Sequence, residues 1–434
     1  MTAPSPAKQS GGGSLQRVLG RTTATLLTAA MIIGTGLFAA LGATAEKAGS
    51  GLLLAIALSG AVALATGLSA ASVGINFPEE GGGFTWSRKF GHPTLGFTAG
   101  CAYLGKGIVS TVVISLAFAL YTAQMVRGLP PFAVHLIAAA AVALVAGVNY
   151  FGVELNAKLL IGLLFVQLAL LAVFVAFAAP TAQWSNLLPI AGHGMGSVLA
   201  GAAVFFWSWD GFMRMAIMAS EVKEPRRTIP FAVVGGVALS AVVFLVVPAV
   251  ALAVLGPSGF AEGRAPNDTP LLTVAAKAVG GWGVWVVLAA AWLDTLTEAQ
   301  GDLLTVTRVA LAMGKERELP AWLGAIHKRF HVPRHAVLAL GILCAALALV
   351  ADLRPVLEVA NVFTLTWYSI VLFDALQLPK DKRLVWPIVS WIGLAGCAAL
   401  YLSLPPWALA TGFGSLALLL GVRFVVRRRK RGRR

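Results

Sequence analysis

Charged side chains are scarce in this chain: Asp, Glu, Lys and Arg make up 12% of its 434 residues, against 58% hydrophobic. A soluble globule of this length would need more charge to cover itself, so the composition excludes an ordinary soluble enzyme or binding domain. Cysteine is nearly missing. The three present, Cys101, Cys344 and Cys397, fall inside apolar stretches without paired spacing, which excludes a disulfide framework and a cysteine metal site. No nucleophile–base pair and no metal-ligand cluster can be picked out, so neither enzyme activity nor a cofactor is expected. A cleavable leader is not expected either, because the first apolar segment is too long and carries a glycine break where a cleavage site would stand.

What the chain has instead is apolar length, with a mean hydropathy of +0.83. Stretches long enough to cross a bilayer can be placed near 23–43, 52–75, 97–126, 132–150, 157–179, 197–220, 229–256, 282–313, 335–351, 356–378, 386–402 and 405–425. This predicts an all-α membrane protein of twelve transmembrane helices. The stretch at 335–351 is short, and the one at 282–313 is polar enough to escape a sliding window. The net charge of +15 is distributed unevenly over the loops. With the N-terminus in the cytoplasm, only Lys47, Arg127, Arg264, Lys277 and Arg354 fall outside, while the other loop lysines and arginines, including the run from Arg423 to Arg434, fall inside. That asymmetry is what the positive-inside rule expects of a multi-pass protein in the cell membrane with both termini cytoplasmic. Residues 1–22, with Pro4, Pro6 and Gly11 to Gly13, read as a disordered cytoplasmic arm, 23–426 as the membrane domain and 427–434 as a basic tail. Basic runs serve membranes and nucleic acids alike. Here anionic headgroups are the expected partner of the tail, and no nucleic acid is.

Two of the apolar stretches are interrupted in the middle. The first break is Ile33-Gly34-Thr35-Gly36-Leu37-Phe38 and the second is Phe206-Trp207-Ser208-Trp209-Asp210-Gly211-Phe212. Glycines let a membrane helix unwind, and unwound backbone is tolerated at membrane depth only where it lines a cavity. Paired interrupted helices in corresponding halves of a membrane protein point to the central site of a secondary transporter, where freed amides and carbonyls bind a small zwitterion. The breaks would open the first helices of two five-span repeats, about 23–179 and 197–378, with extra helices at about 386–425 packed against lipid or against a second subunit in a homodimer.

These breaks, together with Pro78 to Trp86, the loop from Glu221 to Pro230, and Thr307-Arg308 followed by Leu319-Pro320, resemble the amino acid–polyamine–organocation (APC) superfamily of permeases. The resemblance implies a five-plus-five inverted repeat with a substrate amino acid held between the broken first and sixth spans. Its carboxylate would meet the amides of Gly34, Thr35 and Gly36, and its ammonium the carbonyls of Trp207, Ser208 and Trp209, in keeping with the partial charges at helix ends. Trp207 matches a gating aromatic of the family; ordinary packing is its other reading. Many members have a small or apolar residue at Asp210 and an acid at Met213. Some proton-coupled members carry a lysine at the position of Gln167. Coupling therefore cannot be copied across: a proton is the expected driver and sodium stays open.

The eighth span carries Asp294, Glu298 and Asp302 at i, i+4 and i+8, on one helical face. A charged acid costs about 3 kcal/mol at a helix centre, so three in a row should not face lipid. One reading is a polar stripe along the substrate path that binds cations or takes protons. The other is a salt-bridged structural helix, for which Lys106, Arg214 and Arg308 are available partners. Asp210 within the second break and Asp302 on the eighth span favour a cationic side chain, an amine or a proton. His193 reads as a solvated loop residue, Trp86 as an interfacial anchor, and Glu358 and Asp374 as acids snorkelling from the ends of the tenth span. The expectation is a proton-coupled amino acid or amine permease leaning to cationic substrates. A neutral amino acid permease, an uncoupled exchanger and a transporter-like sensor are the alternatives.

Overall fold

A computed structural model describes residues 19–34, 36–78, 81–126, 129–151, 157–190, 192, 194–217, 222–262, 269–327 and 332–431. Thr35, His193, Arg264 and most of the N-terminal arm lie outside the described residues. Helix accounts for nearly all of the rest; the one extended pairing among the described residues is an isolated parallel bridge between Leu19 and Val222. In chain order the helices are α1 (Arg21–Ile32), α2 (Leu41–Ala48), α3 (Leu52–Asn76), α4 (Gly83–Lys89), α5 (Pro93–Ala123), α6 (Pro131–Tyr150), α7 (Ala157–Ala178) and α8 (Gly194–Phe205). They continue as α9 (Phe212–Ile217), α10 (Pro225–Glu262), α11 (Pro270–Ala278), α12 (Gly281–Lys315), α13 (Arg334–Ala348), α14 (Leu353–Leu376), α15 (Pro387–Leu402) and α16 (Pro406–Arg431).

Among the described residues, seven helical stretches are long and apolar enough to cross a membrane, the first of them, Arg21–Asn76, holding two of the expected spans. Three further apolar helices are shorter. The helix α12 is missing from both sets, as its run of acids accounts for. Proline opens α5, α6, α11 and α15, where the missing N–H has no intrahelical partner to lose.

The central element is α5, which is flanked by α6, α12 and α14. Its glycines let neighbours approach closely: an added Cβ would lie 2.6 Å from Met313 Sδ at Gly100, 2.8 Å from Phe363 at Gly105 and 2.7 Å from Val306 at Gly107. Small residues at such contacts drive helix association in lipid, where apolar burial supplies no force of its own. Outward faces of α6, α7, α15 and α16 expose Phe132, Phe165, Ile388, Leu418 and Phe424, as a lipid-facing surface requires.

Three sequence expectations are corrected here. Trp86 is fully buried, its indole N–H donating to the Phe77 carbonyl at 2.9 Å, because Gly81 and Gly82 at positive φ turn the chain back and tuck α4 beneath α5 and α14. Glu358 does not snorkel: it pairs with Lys47 at 2.7 Å, joining α2 to α14 beside a second pair, Glu46 with Arg354. Asp374 is 0% exposed and accepts a hydrogen bond from Ser87 Oγ at 2.6 Å.

Candidate functional site

Both breaks form. After Ile33 the α-helix stops, a π-helical turn runs from Gly36 to Ala40, and α2 resumes at Leu41. After Phe205 a 3-10 turn spans Phe206–Trp209, Asp210 and Gly211 carry the chain across, and α9 resumes at Phe212. The breaks pack on each other. A Cβ at Gly36 would lie 2.3 Å from Ser208 Cβ, and one at Gly211 only 1.8 Å from the Met31 carbonyl oxygen. A Cβ at Gly34 would meet the Glu298 carboxylate at 2.3 Å, so α12 approaches the first break through that acid. The missing side chain of Gly36 makes room for Ser208.

The tryptophans of the second break divide. Trp207 donates from Nε1 to Ser110 Oγ of α5 at 2.6 Å, bridging the two helices beside the break. Trp209 points the other way, donating to Ser59 Oγ at 3.1 Å and packing on Gly60 and on Phe244, whose ring centroid lies 5.0 Å away. The Ser208 hydroxyl is buried with no hydrogen-bond partner, directly on Gly36.

Beside the second break lies a buried charge network. Lys106 of α5, 1% exposed, is ion-paired with Asp210 and lies 3.2 Å from Asp302 Oδ1 of α12. Arg214 of α9 pairs with the same Asp302 oxygen. Tyr368 of α14 donates to Asp210 Oδ1 at 2.5 Å, and Lys106 lies 5.7 Å from the Tyr103 ring centroid. Two lysine or arginine cations and two carboxylates thus close into one group linking α5, α9, α12 and α14. Burial of such a group is tolerable only because each charge has a partner.

The acids of α12 therefore do not share one open path. Asp294 accepts a hydrogen bond from Gln167 Nε2 of α7 at 2.7 Å, Glu298 lies against Gly34, and Asp302 meets Lys106 and Arg214. One helical face presents each acid to a different neighbour. For Asp302 the salt-bridged reading describes the structure, with Lys106 and Arg214 as its partners. Sequence reasoning missed Tyr368, Ser110 and Asn361, the last of which donates to the Val204 carbonyl at 3.2 Å just before the second break. Nothing in a single apolar span marks such residues.

The sequence profile described as Amino acid permease matches residues 19–425. An uncharacterized transporter of Mycobacterium tuberculosis is 32% identical over 424 residues, covering 96% of this chain and 93% of its own. The branched-chain amino acid permease BcaP of Bacillus subtilis is 24% identical, covering 87% of this chain and 84% of its own. A cationic amino acid transporter of Arabidopsis thaliana, named as chloroplastic, is 26% identical over 91% of this chain and 71% of its own. With one profile spanning nearly every described helix, the chain belongs to the amino acid permease family of the APC superfamily, as a multi-pass membrane transporter and not an enzyme.

Proposed function

We propose that this protein is a secondary active transporter that carries amino acids or related amines by alternating access around the two breaks. Twelve crossings in a five-plus-five repeat with both termini cytoplasmic complete this reading. The observation that carries it is the direct packing of the first break on the second, beside ion pairs joining the second break to α5 and α9 to α12. Substrate entry requires Gly36 and Ser208 to part. Opening toward the face that carries the tail requires α9 to leave α12, which takes Arg214 from Asp302. A carboxylate that loses its cation in a water-poor site takes up a proton, which supports proton coupling at Asp210 or Asp302.

The preference for cationic substrates rests on a narrower base than the sequence suggested. Asp210 and Asp302 pair with cations of the chain itself, while Glu298 lies against Gly34 of the first break and also feels the charge of Arg214. A neutral amino acid is the second reading, favoured by the charge balance of the network. Uptake of lysine, arginine, leucine and glutamate by proteoliposomes, with and without an imposed pH gradient, tests both. Uptake of lysine and arginine over leucine, lost in Glu298→Gln, supports the cationic reading, and preferred leucine uptake selects the neutral one. Glutamate carried as well as lysine overturns the cationic preference, and uptake of none of the four overturns the assignment.

A further inference from the structure

Asp374 has no part in the breaks or their charge network. It lies in the last turn of α14, fully buried, with Ser87 Oγ of α4 donating to Oδ2 at 2.6 Å and Oδ1 buried without any partner. The groups around it leave it without a counter-ion. On α4, Arg88 is drawn away to Glu316 and Glu318. Tyr103 of α5 stacks on Trp367 at 4.6 Å, Asn76 at the end of α3 donates to the Lys382 carbonyl, and Arg383 donates to the carbonyls of Leu376 and Leu378. The helix α15 carries no charged residue. One turn beyond Asp374, Gln377 accepts a hydrogen bond at Oε1 from the exposed His92 ring at 2.9 Å, while Gln377 Nε2 is buried without a partner. A buried acceptor at Asp374 and a buried donor at Gln377 thus lie one helical turn apart, with Gln377 bonded to the solvent-exposed His92.

We propose that Asp374 is a proton-binding carboxyl, filled from the tail-side solution by way of His92 and Gln377, and that its proton holds α4 against α14. A carboxylate at this place would be a buried charge with one hydroxyl donor, and the neutral acid removes that cost. Helix α4 seats Gly83 on Trp367 and Val371 of α14, next to Tyr368 and its bond to Asp210. Loss of the proton would loosen this seat and slow transport from that side. The test uses the full chain in lipid nanodiscs. Infrared difference spectra across a pH titration should show the carbonyl band of a neutral carboxyl persisting at neutral pH, and Asp374→Asn should remove it. A band unchanged in Asp374→Asn overturns the site, and this readout needs no transport. The regulatory part rests on the permease reading: in proteoliposomes, raising pH on the tail side alone should slow wild-type uptake and leave Asp374→Asn level. Identical profiles in an active wild type and variant overturn the regulation. An inactive wild type would instead count against the permease reading. Ser87→Ala, which removes the one donor to the carboxylate, should shift the infrared titration toward higher pH, and an unshifted titration counts against the assignment.

Discussion

At the scale of single residues, the structure turns two expectations about the site into sharper tests. Gly36 lies under Ser208, so Gly36→Ala should block closure of the two breaks and abolish uptake, while leaving folded protein in the membrane. Ser208→Gly removes the atom that the new methyl meets, and the double variant should regain part of the uptake. No recovery would mean that the glycine serves the substrate and not Ser208. The charge network makes a second test. Removing one member of a buried ion pair strands the other charge, typically at about 3–5 kcal/mol, whereas removing both can be nearly neutral. Asp210→Asn should therefore lower the unfolding temperature more than Lys106→Met/Asp210→Asn does, since the double variant leaves Arg214 and Asp302 paired. Thermal unfolding of the purified variants checks the order, and a double variant less stable than the single would count against the pairing.

At the scale of elements, two charged fastenings hold helix ends in place. Glu318, just past α12, receives Arg423 and Arg427 of α16 and Arg88 of α4, and Arg423 also stacks on Phe97 at 4.6 Å. Burial pushes the Glu318 carboxyl up, but the hydrogen bonds and charge of Arg423, followed by Arg427 and Arg88, more than offset this and hold it below its ordinary value. A depressed folded value means that the fastening is at full strength above the free glutamate value of about 4.3, and is lost as pH falls through the lower folded value. Protease cleavage near the end of α16 should thus be slow at neutral pH and faster in strong acid, and Glu318→Gln should be fast at both. Equal rates for wild type and variant at neutral pH would remove the role given to Glu318. On the opposite face, Lys47 with Glu358 and Glu46 with Arg354 join α2 to α14. These pairs are partly exposed, worth about 0–1 kcal/mol each, so they bias closure without locking it. Lys47→Glu should raise the accessibility of a cysteine placed near the first break to reagents on that face, by less than about tenfold, and adding Glu358→Lys should restore it. An unrestored double variant would show that the pair does not act.

At the scale of the whole molecule, the two faces of the helical bundle are distinguished by what they carry. Glu46, Lys47, Arg354 and Glu358 cluster at one end, and Arg88, Glu318, Arg423 and the tail at the other. Given the positive-inside asymmetry, cysteines at Ser185 and Arg354 should label from outside intact cells, and cysteines at Arg227 and Lys380 should not. Labelling at the second pair without permeabilisation would reverse the orientation.

Much of this architecture is legible in the sequence, because a bilayer leaves a chain few options: backbone polar groups must be satisfied within each span, so apolar length alone predicts the helices. Gly34 and Gly36 within one span and Gly211 within another likewise announce the breaks, since unwinding is a local property of the backbone. Side-chain pairing is not local. Lys106, Asp210, Arg214 and Asp302 come from three separate stretches of chain, and nothing in their spacing says whether the carboxylates face substrate, proton or each other's cations. Only the packing of α5, α9 and α12 decided that, by closing the four charges into one buried group with Tyr368 of α14. The same holds for Asp374 and Glu358. Each lies near a span end, where a sequence predicts an acid reaching for water, and the fold instead laid α4 over one and Lys47 against the other. Which helices a protein has follows from interactions between near neighbours and the solvent around them; which charges meet depends on contacts between residues far apart in the chain, and those exist only once the helices have packed.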